Sequence, residues 1–172
     1  LAFIRFDESE VPEFSMSIFR KDLYPTVETF KYPKAGEKNS TVSLHIYDVA
    51  TASKKDVNLS NYSDFYIARM KWTKDANVLS AQVLNRHQDN LDLLFIDGNA
   101  AATKVVLNEK DKAYVDVTDN LTFLKDNSFI WTSEKDGFNH IYLYDKTGKL
   151  KNQVTKGNWE ITNYYGFDEK SN

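Results

Sequence analysis

Tyr142-Leu143-Tyr144-Asp145, followed by Lys146-Thr147-Gly148-Lys149, reads as a short aromatic strand that ends in aspartate and turns. The same pattern stands at His45-Ile46-Tyr47-Asp48 and at Leu94-Phe95-Ile96-Asp97. The three aspartates are roughly 49 and 48 residues apart, the spacing of β-propeller blades. A second register agrees: Trp72-Thr73-Lys74-Asp75 recurs as Phe123-Leu124-Lys125-Asp126, about 51 residues on, each time before a new apolar run. One such repeat is a small antiparallel sheet that cannot bury both faces alone and must stack on its neighbours. The expected fold is all-β: a partial β-propeller of about three and a half four-stranded blades. That is too few to close a ring, so the chain is expected to be a piece of a larger protein. A β-sandwich with short turns is the competing architecture.

Working outward, the regular part of the repeat starts at Val42. Strands are expected at Val42 to Asp48 and Asp56 to Leu59, then Phe65 to Trp72, Val78 to Leu84, Leu91 to Asp97 and Lys104 to Leu107. A third set runs Tyr114 to Phe123, Phe129 to Ser133, Phe138 to Asp145 and Lys149 to Val154, and Trp159 to Phe167 opens a further blade. The corresponding divisions are 1–63, 64–110, 111–157 and 158–172. Leu1 to Phe6 reads as a strand, and a start inside such a run, without initiator Met or a charged-then-apolar leader, is expected of a sequence cut from a longer one. Residues 8–40 hold all three prolines and no helical period, so they read as an insertion within one blade. Inside it, Phe14, Met16 and Ile18 alternate with Ser15 and Ser17 as a strand would. Asp136-Gly137 is a hairpin signal.

Composition narrows the function classes. Hydrophobic residues make up 41% and charged residues 27%, which is globular rather than disordered. The net charge of −3, with both signs interspersed and no basic stripe, argues against a nucleic-acid partner. No apolar run approaches the roughly 18 residues of a membrane span. Without cysteine there is no disulfide, thiolate metal site or cysteine nucleophile.

Side chains that could carry chemistry are few. No Gly-x-Ser-x-Gly elbow exists, and His45, His87 and His140 lie far apart in repeated hairpins, without His-Glu-x-x-His spacing. Glu8 with Glu10, or Asp168 with Glu169, could hold an amine, but solvated loop carboxylates are the simpler reading. Trp72, Trp131 and Trp159 could stack on sugar or peptide; their repeat-like strand positions favour core packing. Sequons stand at Asn39, Asn58, Asn61 and Asn120. On these grounds the chain has no catalytic, substrate-binding or metal residue to nominate, and no cofactor.

Three segments carry a resemblance. Asp7-Glu8-Ser9-Glu10-Val11-Pro12, with Tyr24-Pro25 and Tyr32-Pro33-Lys34-Ala35-Gly36-Glu37-Lys38-Asn39, resembles the propeller of the dipeptidyl peptidase IV branch of the prolyl oligopeptidase family. Asp136-Gly137-Phe138-Asn139-His140-Ile141-Tyr142 and Thr155-Lys156-Gly157-Asn158-Trp159-Glu160-Ile161 match that family's hairpin and its lead into the next blade. The resemblance implies a serine exopeptidase that releases Xaa-Pro (and Xaa-Ala) dipeptides from peptide N-termini. It implies an eight-bladed ring capping an α/β-hydrolase domain of the same polypeptide, with peptide substrate between them. The family's ammonium-binding glutamates would lie before Leu1 and its Ser, Asp and His after Asn172, so none is carried over. The segment Asp116 to Asn120 is shortened beside relatives that touch substrate there. Animal members carry disulfides in this region, so the missing cysteines imply a bacterial, Bacteroidetes-like member. The resemblance itself implies a location in the periplasm or outside the cell. A homodimer joining one end of the arc to its copy is expected, because cut blade faces are apolar. The alternative is a free-standing β-repeat module that binds protein or glycan, with no enzyme attached.

Overall fold

The computed structural model describes residues 1–170, and among them there is no helix, only strands and turns. β1 (Ala2–Asp7) is followed by β2 (Glu13–Ile18) and β3 (Thr26–Lys31), then β4 (Thr41–Asp48) and β5 (Ser53–Asp56). β6 (Phe65–Trp72), β7 (Val78–Asn85), β8 (Asn90–Asp97) and β9 (Thr103–Lys110) come next. β10 (Thr122–Phe123), β11 (Phe129–Ser133), β12 (His140–Tyr144) and β13 (Leu150–Gln153) close the series.

These strands form three antiparallel meanders, β1-β4-β5, β6-β7-β8-β9 and β10-β11-β12-β13, with β2-β3 as a separate hairpin. Every neighbour within a meander is next along the chain except β1 and β4, which the hairpin interrupts. That is the order of propeller blades; a sandwich would need strands crossing between sheets.

The strand-ending aspartates explain why the repeat is visible. Asp48 Oδ1 accepts the backbone N–H groups of Ala50 (2.9 Å) and Thr51 (3.3 Å). Asp97 Oδ1 accepts those of Asn99 and Ala100, both at 2.7 Å. Asp145 Oδ1 accepts those of Thr147 (2.8 Å) and Lys149 (3.1 Å). Each carboxylate satisfies turn donors that the sheet leaves unpaired, the task for which aspartate suits a turn. Asp75 and Asp126 do the same in the second register, for Asn77 and Ser128.

Those hydrogen bonds, and at Asp145 first of all the Thr147 hydroxyl, which donates at 2.7 Å, hold all three strand-ending carboxyls below the usual aspartate range. A carboxylate whose pKa is depressed by folding stabilises the fold above its unfolded value, near pH ~3.9. That contribution disappears as pH falls through the folded-state value. We therefore expect thermal midpoints to drop steeply between about pH 4 and about pH 2. Asp145→Asn keeps an acceptor for the turn but cannot titrate. Scanning calorimetry across that window should find its acid slope shallower than wild type; an unchanged slope would remove Asp145 from the account.

Apolar faces bind the sheets together. On β7, Leu79, Ala81 and Val83 face the first sheet and pack with Val42, Leu44 and Ile46 of β4. The alternate β7 position Leu84, with Leu91 and Leu93 of β8, packs against Phe123, Phe129, Trp131, Tyr142 and Tyr144 of the third sheet. The middle sheet is therefore buried on both faces, and on its central strand β7 even the alternating polar residues Ser80 and Gln82 are buried.

Four expectations about strands are corrected. The last strand of the first sheet is Ser53–Asp56 rather than 56–59, because Ser53 to Asp56 pair with Asp48 to His45. The Tyr114 to Phe123 run contributes only Thr122–Phe123. Upstream of it, Asp111 Oδ1 takes the N–H groups of Ala113 and Tyr114, and Thr118 Oγ1 takes that of Asn120. Such local bonds compete with a ladder. Trp159 to Phe167 carries no strand; its recorded backbone link is Ile161 N–H to the Asn139 carbonyl at 2.9 Å. The insertion, in which only the Phe14 to Ile18 alternation signals a strand, forms a paired hairpin whose second strand is Thr26–Lys31.

The hairpin is bound mainly by its own groups. Phe14, Phe30 and Tyr32 form an aromatic cluster, and Ser15 and Thr29 hydroxyls meet at 2.8 Å. Phe19, Leu23, Tyr24 and Val27 are exposed. A two-stranded hairpin alone is marginal in water.

Candidate functional site

The seam between the second and third sheets holds the largest concentration of buried polar chemistry. Glu109, near the end of β9, is paired with Leu91 and so faces the third sheet with it. Its carboxylate accepts from Trp131 Nε1 at 3.2 Å and from Ser133 Oγ at 2.7 Å. Trp131 and Ser133 alternate on β11, so both point back across the seam. Lys135, just beyond β11, donates to Tyr144 Oη at 2.6 Å and lies 3.9 Å above the Tyr142 ring.

Burial pushes the Glu109 carboxyl above the usual range, and the Ser133 hydroxyl, the Lys135 charge and Trp131 oppose that shift. Burial pushes the Lys135 ammonium down, with Glu109 and Asp136 opposing. Tyr142 is pushed up to about 12, first by burial and then by Asp136. A cavity of about 360 Å³ opens beside this cluster, walled by residues 109–111 and 114–120 and by the end of β11. With both charges partnered, the cluster can lock the seam. Its one serine, Ser133, is with Trp131 one of the two donors that hold the buried Glu109 carboxylate.

The structure brings none of the sequence candidates together as an active site. His140 is fully buried, its ring nitrogens 3.1 Å from Thr155 Oγ1 and from the Gly157 carbonyl. His87 is exposed in a turn. Glu8 is exposed, and Glu10 pairs with Lys38 at 2.8 Å. Glu169 accepts the Lys125 N–H and Asp168 that of Lys170. Of the tryptophans only Trp131 is core; Trp72 and Trp159 are partly exposed, and Trp159 sits edge-on to His140. Asn58 and Asn61 are exposed, whereas Asn39 and Asn120 are half-buried.

One arrangement escaped sequence reasoning. Ser43 Oγ lies 2.8 Å from His45 Nε2, and His45 Nδ1 lies 2.7 Å from Asp56 Oδ1. Alternation on β4 puts Ser43 and His45 on one face, and the His45–Asp56 register adds the carboxylate. The order is that of a Ser-His-Asp relay, but acyl transfer also needs donors for an oxyanion. Ser43 is mid-strand, paired with Arg5, so the strand's N–H groups serve the ladder, and Phe3 stacks on the imidazole at 5.0 Å. The trio acts as a structural relay that ties β5 to β4.

The comparisons with known proteins point one way. The family model for the dipeptidyl peptidase IV (DPP IV) N-terminal region matches residues 1–172. The crystal structure of Porphyromonas gingivalis dipeptidyl peptidase 4 superposes with a TM-score of 0.90 at 45% identity, covering 98% of this chain and 24% of that one. A putative dipeptidyl aminopeptidase IV from Bacteroides ovatus superposes at 0.84 with 27% identity, covering 98% and 27%. Dipeptidyl aminopeptidase B of Saccharomyces cerevisiae is 30% identical over 95% of this chain and 22% of its own length. The chain thus spans about a quarter of each of these proteins. With the family model matched from end to end by a three-sheet propeller arc, the chain belongs to the dipeptidyl peptidase IV N-terminal-region family.

Proposed function

We propose that this chain is the non-catalytic propeller segment of a bacterial serine exopeptidase that releases Xaa-Pro dipeptides from peptide N-termini. In the parent it forms part of an eight-bladed ring that caps the α/β-hydrolase domain and shapes the substrate cavity. The parent works in the periplasm or outside the cell. The observation that carries this reading is the superposition at 0.90 on a bacterial dipeptidyl peptidase 4. The site chemistry agrees, since Glu109 is held by Trp131 and Ser133, and Lys135 by Tyr144.

In place of the arc-end pairing expected from the sequence, we place the contact of a homodimeric parent at the β2-β3 hairpin. Phe19, Leu23, Tyr24 and Val27 form an exposed apolar edge on an element with little support of its own, and a two-fold partner would supply that support. The experiment compares this chain with the protein of the full reading frame. With a Gly-Pro chromogenic substrate the full protein should turn over and this chain give only background. Light scattering should give twice the monomer mass for the full protein, and Leu23→Ser with Tyr24→Ser should halve it. Inhibitor-sensitive turnover by this chain, or a full-length protein without turnover, would overturn the functional reading. A monomeric full-length protein would overturn the dimer.

A further inference from the structure

The β2-β3 hairpin hangs from the first sheet where Asp7 and Thr41 end the β1-β4 ladder side by side. The two legs of its root are closed on each other. Tyr32 N–H donates to the Pro12 carbonyl at 2.9 Å, and Lys38 pairs with Glu10 at 2.8 Å. Val11 is buried at the base of the first leg. The second leg is tied to a different sheet. Arg86, the first residue beyond β7, donates from Nη2 to the Glu37 carbonyl at 3.1 Å, across 49 residues of sequence. Glu37 N–H donates to the Lys34 carbonyl, so the acceptor belongs to a closed turn rather than to loose chain.

Arg86 is itself held on the second sheet. The β6-β7 register pairs Phe65 with Asn85, and one step beyond that pair Asp64 stands beside Arg86. Asp64 Oδ1 lies 3.8 Å from Nη1, within ion-pair range but too far for a hydrogen bond. The Tyr66 ring centre is 6.0 Å from the guanidinium carbon. Nη1 is buried and donates to nothing, and Asp64 is held at φ of +46°, a left-handed conformation that strains a residue bearing a Cβ. A buried donor without an acceptor needs a reason, and strained residues gather at clamps and switches.

We infer that Arg86 is the latch that sets the direction of the β2-β3 hairpin. A body fastened only at its root can swing; a tie from a neighbouring sheet removes that freedom. The six residues of β3 extend roughly 20 Å, so a tilt of about 10° at the root carries the tip through about 3 to 4 Å. Side-chain contacts do not survive such a displacement. The latch therefore governs whether Leu23 and Tyr24 meet a partner copy, a consequence that rests on the homodimer proposed above. The latch itself does not rest on it.

The chain has no cysteine, so two can be introduced to carry nitroxide labels. Asp22→Cys places one at the exposed hairpin tip and Ala100→Cys the other in the exposed turn after β8. Labelled chain is diluted with unlabelled, so that pulsed electron paramagnetic resonance reads distances within one copy. The distribution should be single and narrow, and Arg86→Met should widen it at least about twofold. Asp64→Asn, which suits a left-handed φ and leaves Arg86 in place, should widen it less. If circular dichroism shows Arg86→Met unfolded, Asp64→Asn carries the same test. An unchanged width in the folded variant, or a wild-type distribution as broad as the variant's, would overturn the latch. In the protein of the full reading frame, Arg86→Met should raise the dimer dissociation constant at least about tenfold. A dimer of unaltered affinity would overturn the latch's part in assembly. A monomeric wild type would overturn the homodimer alone.

Discussion

Gly148→Ala is expected to destabilise the chain by roughly 2 to 5 kcal/mol. Gly148 lies in the turn between β12 and β13 with φ of +90°, a left-handed conformation that costs an L-residue about 1 to 2 kcal/mol. The larger part is steric. A Cβ there would overlap the carbonyl oxygen of Val106 on β9 and stand 2.7 Å from its carbon. That carbonyl belongs to the neighbouring sheet, so relief requires the sheets to part, and overpacking of this sort costs about 1 to 3 kcal/mol more. Gly137 is the control, since its φ is +99° but a Cβ would meet nothing within 4 Å. Urea titration should show Gly137→Ala losing only the conformational part. Equal losses for the two would mean that the contact between sheets carries no weight.

The second large effect is expected at Trp131. Its side chain is about 1% exposed at the centre of the seam cluster, with Phe129 and Tyr142 around it. Trp131→Ala should cost about 3 to 5 kcal/mol through the cavity left behind. Loss of the Nε1 donor also leaves Glu109 leaning on Ser133 alone, a further penalty of about 1 to 3 kcal/mol. Trp131→Phe keeps most of the volume and removes the donor, so it isolates the second part. If the phenylalanine variant equalled wild type in chemical denaturation, Glu109 would not depend on the indole. An alanine variant losing under about 2 kcal/mol would contradict the packing account itself.

What the sequence made legible follows from which forces are local. Asp48, Asp97 and Asp145 announce the sheets because each is bonded to N–H groups two to four residues away. Leu93 to Ile96 announces a central strand because packing on both faces leaves an unbroken apolar run. The stretch from Asp111 to Leu121 misled because valines at 115 and 117 mimic a strand while its asparagine, threonine and aspartates fold it on itself. Trp159 was read as core because a tryptophan beside Glu160-Ile161 resembles a strand, yet strand formation needs a partner ladder that residues 158–170 do not have. The Ser43-His45-Asp56 relay and the Arg86 latch depend on register between strands and on a contact across 49 residues of sequence, which single-chain periodicity cannot express. The absence of a nucleophile elbow was legible outright.

The pairing of Asp7 with Thr41 has a consequence for how this protein can change over time. The chain leaves β1 and rejoins β4 at one point of one ladder, so residues 8–40 form a closed detour whose ends are already fixed. Doubling such a detour adds only about 0.6 kcal/mol of closure entropy, whatever lies at its tip. The tip can therefore lengthen, shorten or acquire a new surface while the sheet beneath it keeps its register. Natural selection can edit the arm as a separate module, and relatives with the same blades are free to carry different arms.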